Sequence, residues 1–376
     1  MQAQIKLGRI FGIEIGLHYS WLIVALLITL SLSGHFKTTN PQWSDSVVWF
    51  SALVTAFLFF VTIVIHELSH SLVARMHGLT VRSITLFALG GVSQIERDSP
   101  NARTEFWIGI AGPLASAVIG SMCLGVALSL AWRPAATPTD PATAVLVWLG
   151  YINLLLAGFN MIPGFPQDGG RVLCSILWWI TGVRSRATRL AAQVGEFVSY
   201  VFIVIGLMRF FSGAGLGGLW ISFIGWFLLD ASRASQAQAG VAEALKGLVV
   251  GDVMSRDYVT VDGRSNIQTF ADEHLLRSGR RCFIVMENGK VTGLITPHEV
   301  RHIPHSQWPY KTLDVVMRPL DQLRTVAIDT PVMKALEIMG REDVNQLPVI
   351  VNGALEGIIS RSHILQLLQT KAELDR

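Results

Sequence analysis

Two histidines separated by three residues are the first sign of chemistry in this chain. In His66-Glu67-Leu68-Ser69-His70 the histidines occupy positions i and i+4, which lie one turn apart on the same face of a helix. Both imidazoles can then reach one zinc ion, and Glu67 can act as general base on a water that the metal activates. The alternative interpretation is an interfacial helix end whose histidines are solvated.

The histidine motif ends a long apolar stretch, and five other stretches resemble it in composition. A membrane-spanning helix needs about 20 apolar residues. The stretches that approach this length are residues 17–33, 47–73, 106–132, 142–163, 190–211 and 216–229. The sequence therefore predicts a polytopic α-helical membrane protein with about six transmembrane helices, in which the histidine pair closes the second span.

Composition divides the chain into two halves. Of its 376 residues, 51% are hydrophobic and 15% are charged, against about 25% charged residues in average soluble domains. Residues 1–239 contain 24 charged residues, whereas the shorter piece 240–376 contains 33. We therefore expect a membrane domain over 1–239 and a soluble domain over 240–376, with the Ala-, Ser- and Gln-rich residues 232–244 as a linker.

Net charge and cysteine content exclude other classes of site and partner. The net charge of +3 is too small to predict binding to nucleic acid. The three cysteines are scattered and form no CxxC pair, so neither a thiolate zinc site nor a disulfide framework is indicated.

The distribution of basic residues predicts the orientation in the cell membrane. Arginines follow the second span and precede the fifth, and they fall on the side of Lys6 and Arg9 if the spans alternate. Cytoplasmic loops are enriched in such residues. We therefore expect a cytoplasmic N-terminus, with residues 1–16 retained, and six spans that return the soluble half to the cytoplasm.

A β-hairpin is predicted between the second and third spans, in residues 81–95. Two β-rich runs flank Gly90-Gly91, which indicates a turn there. A hairpin beside a protease site can offer an edge strand to an extended peptide. The alternative is an ordinary surface hairpin.

The third span carries small residues at every fourth position, namely Gly112, Ser116 and Gly120. Such spacing lets helices approach closely, so we assign these residues packing roles only. Pro113, in the same span, is expected to kink the helix.

A broken segment after the fourth span contains one acid, Asp168. Residues 160–171 include two prolines and three glycines, which interrupt a helix. By itself Asp168 is a loop acid or a helix N-cap. The histidine pair, however, lacks a third ligand, and zinc sites of this type commonly complete three protein ligands with a carboxylate. His18 is the next candidate for that ligand.

The soluble half contains an internal repeat with an offset of 63–64 residues. Val253-Met254 recurs as Val316-Met317, and residues 291–296 recur as 355–360. Each copy is expected to contain a helix, two short strands and a second helix. Two copies, at about 248–305 and 311–370, predict an α/β pair that buries its faces together.

The motifs of the membrane half resemble those of the site-2 protease family of intramembrane zinc metalloproteases. The resemblance rests on the histidine motif on the second span and on residues 160–170, and it covers about residues 1–230. It implies that His66, His70 and Asp168 bind one Zn²⁺ and that Glu67 is the general base. It also implies transmembrane-helix substrates, such as membrane-bound regulators of the anti-sigma factor type, in a lipid bilayer.

The repeat resembles a tandem pair of CBS domains, a module that often binds adenosine nucleotides and that can form homodimers. The resemblance implies Thr260, Thr296 and Glu299 as candidate adenine-nucleotide contacts. An aspartate usually holds the ribose hydroxyls three residues after the Ser or Thr that follows the second strand. Here Glu299 replaces it in the first copy and His363 in the second, so we expect weak or single-site binding.

Two other functions compete with proteolysis. A CBS-gated metal-ion transporter would use His66 and His70 for metal transit, but it has no use for Glu67 and it needs polar residues along several spans. Apart from the motif, the spans are nearly free of charge, with Glu196 as the main exception. A catalytically inactive scaffold is disfavoured because the motif is complete. The sequence therefore predicts a zinc endopeptidase that cleaves within or near the membrane and is modulated by the CBS pair.

Overall fold

The computed structural model describes residues 4–87, 90–95, 99–134, 136–351 and 354–374. The chain divides into two compact units, Met1–Gly240 and Val241–Arg376.

The first unit is built mainly from helices. They are α1 (Ser20–Thr39), α2 (Asp45–Met76), α3 (Ala102–Ser129), α4 (Pro141–Asn160), α5 (Asp168–Thr181), α6 (Arg184–Arg209) and α7 (Leu216–Ala244), with a π-helical turn at Phe210–Ala214. Among the described residues, five helices are long and apolar enough to cross a membrane: Ser20–Thr39, Asp45–Met76, Ala102–Ser129, Pro141–Asn160 and Arg184–Gly213. These five confirm the first five predicted spans.

The sixth predicted span is helical, but it is not one of these five. Residues 216–229 form the first half of α7, and Asp230 and Arg233 follow within the same helix. The apolar part is therefore shorter than the span of about 20 residues that a bilayer requires. The predicted linker, residues 232–244, is the second half of the same helix.

A four-stranded sheet lies beside the helices. Its strands are β1 (Ile5–Ile10), β2 (Ile13–Leu17), β3 (Val81–Phe87) and β4 (Gly90–Ile95), and they pair in that order. β2 runs parallel to β3, whereas the other pairs are antiparallel. The predicted hairpin is thus one half of a larger sheet, because the N-terminal residues form a second hairpin. The alternation of Ile13, Ile15 and Leu17, all buried, was the signal for it.

The position of the predicted turn was wrong. Gly90 pairs with Phe87, and Gly91 pairs with Leu86, so both glycines belong to β4. The connection between the strands falls at residues 88–89, which lie outside the described residues.

Helix α3 packs against α2, α4 and α5. Its N-terminus is capped by Asn101, whose side chain accepts a hydrogen bond from the backbone N–H of Thr104 at 2.8 Å. A Cβ atom at Gly120 would lie 2.8 Å from the carbonyl oxygen of Gly150 on α4, so the close approach of these two helices requires glycine. This contact confirms the packing role predicted for Gly120.

The second unit contains six strands and seven α-helices in the described residues, together with a π-helical turn and two 3-10 turns. The strands are β5 (Val259–Asp262), β6 (Phe283–Glu287), β7 (Lys290–Ile295), β8 (Arg318–Pro319), β9 (Gln346–Val351) and β10 (Ala354–Ser360). The helices are α8 (Val250–Val253), α9 (Ile267–Phe270), α10 (Leu276–Ser278), α11 (Pro297–Arg301), α12 (Leu313–Val316), α13 (Val332–Arg341) and α14 (Arg361–Leu374). The sheets have the orders β5-β6-β7-β8 and β10-β9.

The two repeats exchange their leading segments. Leu245 lies just before the first repeat and Val250 lies at its start, but both pack in the core of the second, which includes Val332, Val349 and Ile359. In the same way Leu313 lies at the start of the second repeat and packs in the core of the first. A further cluster, which includes Ile284, Leu294 and Ile358, draws on both repeats. The repeats therefore fold as one hydrophobic unit.

Candidate metal centre

Helix α2 places the two histidines of the motif side by side in the interior of the first unit. His66 is 5% exposed and His70 is 4% exposed. Their Nε2 atoms lie 3.3 Å apart, because positions four residues apart project from the same face of a helix. The shared helix face predicted from the spacing is therefore present, and because both histidines are buried the interfacial interpretation with solvated histidines is wrong.

Asp168 reaches the histidine pair from α5. Its Oδ2 atom lies 3.1 Å from Nε2 of His66 and 3.1 Å from Nε2 of His70. A search of the described residues for clustered His, Cys, Asp and Glu side chains that could hold a metal ion finds this trio. Asp168 is the first residue of α5 and Gln167 is its N-cap, so the N-cap interpretation of Asp168 is wrong.

His18 lies outside this cluster. Its Nδ1 atom is 2.9 Å from Oγ of Ser20, at the start of α1. His18, the alternative candidate for the third ligand, therefore contacts Ser20 at the start of α1.

Helix α3 fixes the orientation of both imidazoles. Nδ1 of His70 donates a hydrogen bond of 2.6 Å to the carbonyl oxygen of Ile108, and Nδ1 of His66 lies 2.9 Å from Oγ of Ser116. A carbonyl oxygen can only accept, so Nδ1 of His70 carries the proton and, in the neutral ring, Nε2 carries the lone pair. Such bonds hold metal-binding histidines in the required tautomer.

Gly112 lies between these two contacts on α3. A Cβ atom at this position would lie 2.6 Å from Nε2 of His66 and would overlap Nε2 of His70. The roles assigned from sequence to Gly112 and Ser116 were therefore incomplete. Their four-residue spacing was visible in the sequence, but the partner helix and the face it contacts were not.

The backbone of β4 passes directly over Glu67. A Cβ atom at Gly91 would lie 2.5 Å from Cγ and 2.9 Å from Oε1 of that glutamate. Since β4 ends the sheet order, the side of the strand away from β3 has no strand partner in the described sheet. The general-base candidate thus lies beneath an edge strand, and glycine at position 91 is what permits this approach.

An ion pair between two helices holds α5 against α3. Nε of Arg171 donates a hydrogen bond of 2.8 Å to Oε1 of Glu105, and Oγ of Ser99 donates to Oε2 of the same carboxylate. Burial works against the charged form of Arg171, but the carboxylate of Glu105 outweighs it and raises the pKa of the guanidinium. Sequence reasoning missed this pair, whose only signal was the arginine three residues after Asp168.

The second unit contains a cleft of about 1340 Å³. Thr296, Glu299 and His363 line the cleft, but Thr260 is not among its lining residues. Oε2 of Glu299 accepts hydrogen bonds from the backbone N–H of Thr296 at 3.0 Å and from its hydroxyl at 2.5 Å. Glu299 therefore caps α11 with one of its carboxylate oxygens.

Five arginines also line this cleft: Arg280, Arg281, Arg301, Arg318 and Arg361. Cys282 lies among them, and burial, with a smaller effect from Glu299, raises the pKa of its thiol to about 12. The thiol is therefore protonated at neutral pH. Four acids, Asp257, Glu299, Glu342 and Asp343, line the cleft as well, and Arg280 forms an ion pair with Asp257.

Comparison with known proteins identifies two sequence families in the chain. The profile of peptidase family M50 matches residues 54–144 and 129–208. The CBS domain profile matches residues 250–306 and 314–370. The first pair of ranges contains the histidine motif and Asp168, and the second contains the repeat.

Several relatives are similar over nearly their whole length. A protein of Synechocystis sp. named "Putative zinc metalloprotease sll0528" is 33% identical over 377 residues, which cover 99% of this chain and 97% of that protein. "Zinc metalloprotease MJ0392" of Methanocaldococcus jannaschii is 29% identical over 378 residues, or 100% and 99% of the two chains. The solved structure of the "Site-2 Protease from Methanocaldococcus jannaschii" is 31% identical and covers 62% of this chain and 94% of that chain, with a TM-score of 0.42.

The chain belongs to peptidase family M50, the site-2 protease family, and carries a tandem CBS pair after its protease domain. It is a zinc metalloprotease that acts in the membrane on membrane-protein substrates. Nothing in these comparisons supports the metal-ion transporter.

Proposed function

We propose that His66, His70 and Asp168 hold the catalytic zinc and that Glu67 is the general base. The spacing of the three donor atoms carries this proposal. Donor atoms in a tetrahedral zinc site with bonds of about 2.0–2.1 Å lie about 3.3 Å apart. The distances of 3.1, 3.1 and 3.3 Å fit that requirement, as do the two imidazoles and one carboxylate.

When bound, zinc polarises the scissile carbonyl and lowers the pKa of the attacking water. The remaining work falls to the chain's own residues. Glu67 takes the proton from the water and passes it to the leaving amine. The bonds from the histidine Nδ1 atoms to Ile108 and Ser116 keep both Nε2 atoms directed at the metal during turnover.

The edge of β4 supplies a place for an extended substrate. A transmembrane helix hides its carbonyls in its own hydrogen bonds, so the segment to be cleaved has to unwind. An unwound segment can add to β4 as a further strand, since main-chain hydrogen bonds hold a peptide at a sheet edge. Because Gly91 lies over Glu67, a strand added there would run beside the general base. The substrates that we propose are membrane-anchored regulators whose transmembrane helix can unwind in this way.

The N-terminus and the CBS pair belong to the cytoplasmic side in this proposal. The basic residues that flank the spans favour that side for Lys6 and Arg9. A cytoplasmic CBS pair then requires α7 to cross as a sixth span. Its 29 residues are long enough, at about 1.5 Å each, although their apolar part is short. Labelling of single cysteines at positions 6 and 311 from each side of sealed vesicles tests both assignments.

The CBS pair modulates the protease, and its cleft takes an adenine nucleotide weakly or at one site. Guanidinium groups suit phosphate. The second carboxylate oxygen of Glu299, Oε1, can accept a bond from a ribose hydroxyl. His363 offers no anion at the matching place in the second repeat. Calorimetry and cleavage assays on the full-length protein with ATP or AMP test this. No heat at millimolar nucleotide, with unchanged rates, would reduce the pair to a structural or partner-docking module.

The direct test of the proposed function uses purified protein and a tagged transmembrane peptide. The expected result is one zinc per chain and cleavage that a chelator abolishes and added zinc restores. Association into a homodimer through the CBS pair remains a prediction, which light scattering in detergent would check.

A further inference from the structure

Residues 161–167 form the segment between α4 and Asp168, and backbone contacts enclose it. A Cβ atom at Gly170, on α5, would overlap the backbone of Gly164 and Phe165. A Cβ atom at Gly164 would in turn overlap the backbone of Gly195 on α6. Three glycines therefore bring α5, the segment and α6 into direct contact, and the position of Asp168 follows from how this segment is held.

One side-chain hydrogen bond reaches this segment from α7. Oγ of Ser232 donates to the carbonyl oxygen of Phe165 at 2.5 Å, three residues before Asp168. Ser232 is 0% exposed, so its hydroxyl needs a partner inside the protein, and the carbonyl oxygen of Phe165 is that partner. A Cβ atom at Gly195 would overlap this carbonyl oxygen and lie 2.8 Å from Oγ of Ser232, so α6 leaves the space in which the bond forms.

The other end of α7 belongs to the core of the CBS pair. Val241 and Leu245, in and just after the last turn of α7, pack in the cluster that contains Val332. Nζ of Lys371, on α14, donates to the carbonyl oxygen of Ala244 at 3.0 Å. The helix is continuous from Leu216 to Ala244. It therefore carries both the donor to Phe165 and residues of the CBS core.

We propose that Ser232 is a positioning residue for Asp168, and that α7 is the route by which the CBS pair acts on the metal centre. The second part rests on the proposed modulation by the CBS pair. A shift of α7 moves the donor that holds Phe165 and hence the backbone next to Asp168. Oδ2 of Asp168 lies 3.1 Å from Nε2 of each histidine. A small displacement of this carboxylate therefore weakens its contribution to zinc binding. A ligand of the CBS pair acts on zinc binding to the extent that it prefers one position of α7.

The positioning role is tested by the zinc dissociation constant of the full-length protein, measured by chelator competition. Ser232→Ala is expected to weaken zinc binding about tenfold, in the range seen when partners of metal ligands are removed. Ser232→Thr keeps a hydroxyl donor and is expected to restore most of the affinity. The matched control is Ser235→Ala on the same helix, because Oγ of Ser235 bonds only the carbonyl of Ala231 in the described structure. Wild-type affinity in Ser232→Ala, or an equal loss in Ser235→Ala, would overturn the proposal.

The route through α7 is tested by a double-mutant cycle. Ala239→Pro bends the helix between Ser232 and Val241. It is expected to change the zinc dissociation constant several-fold in the wild-type background and to have no further effect beside Ser232→Ala. Additive effects of the two substitutions, or no effect of Ala239→Pro alone, would overturn the route.

These measurements are independent of proteolysis. If the wild-type protein binds zinc but cleaves no transmembrane peptide, the proposed catalytic roles fail while the coupling stands. If the cycle shows no coupling while cleavage proceeds and responds to nucleotide, the route through α7 fails and the proposed function stands.

Discussion

Oγ of Ser116 lies 2.9 Å from Nδ1 of His66, although the two residues are 50 positions apart in the chain. The bond crosses from α3 to α2 and is fully buried. It fixes the ring so that Nε2 of His66 faces Asp168. The proposed metal site therefore depends on a helix that supplies none of its donor atoms.

Ser116→Ala should weaken zinc binding by about 10–100-fold, the effect typical of removing a hydrogen-bond partner from a metal-binding histidine. The zinc dissociation constant from chelator competition is the measurement. Ser129→Ala is the control, since its hydroxyl bonds the carbonyl of Val126 within the same helix. Equal affinity in Ser116→Ala and Ser129→Ala would show that the Ser116 bond is not needed.

Gly112→Ala should abolish stoichiometric zinc binding. The added methyl group would overlap Nε2 of His70 and lie 2.6 Å from Nε2 of His66, so both imidazoles have to move. Gly125→Ala on the same helix has open space around its Cβ position and should bind zinc normally. It should also gain up to about 1 kcal/mol in stability, since alanine favours a helix. Zinc content and thermal unfolding are measured for both variants. Full zinc occupancy in Gly112→Ala would contradict the close packing of Gly112 against the two imidazoles.

Asp168→Ala should lower zinc content and activity together, since it removes one of the three proposed protein ligands. Asp168→Asn should do nearly the same, because a neutral amide is a weaker ligand than a carboxylate. Zinc content by mass spectrometry and cleavage rate are measured on the same preparation. Wild-type metal content with full activity in Asp168→Ala would place the third ligand elsewhere in the chain.

Gly91→Ala should slow cleavage while zinc is retained. The new methyl group would lie 2.5 Å from Cγ of Glu67, and so would displace either the carboxylate or the edge strand above it. Gly158→Ala is the control, with open space at its Cβ position. A proline scan of β4 that includes Ser93 extends the test, because proline removes a backbone donor from the strand. Unchanged rates across the scan would count against substrate binding as an added strand.

The parts of the structure that local pattern determines were predictable from the sequence. The helical spacing of His66 and His70 and the broken segment before Asp168 are properties of short stretches. Their convergence at 3.1 Å could be expected only because zinc requires a third donor. The five long spans follow directly from apolar length.

What the sequence could not predict depends on contacts between distant elements. The sequence indicates only packing roles for Ser116 and Gly112. Their contacts with the two histidines become visible when α3 packs against α2. Gly91 is a turn residue by pattern, but the sheet pairs it with Leu86 above Glu67. The segment 232–244 has the composition of a linker, and it is helical because alanine and glutamine are good helix formers and its ends are packed.

Glu67→Gln separates proton transfer from metal binding at the proposed site. Glu67 is proposed to transfer protons and to bind no metal, so the variant should keep one zinc per chain. It should lose cleavage of a tagged transmembrane peptide by at least about 10²–10⁴-fold, the usual contribution of general acid–base catalysis. Cleavage rate and zinc stoichiometry are measured on one preparation beside the wild type. Normal turnover by a fully zinc-loaded Glu67→Gln protein would contradict the assignment of the general base.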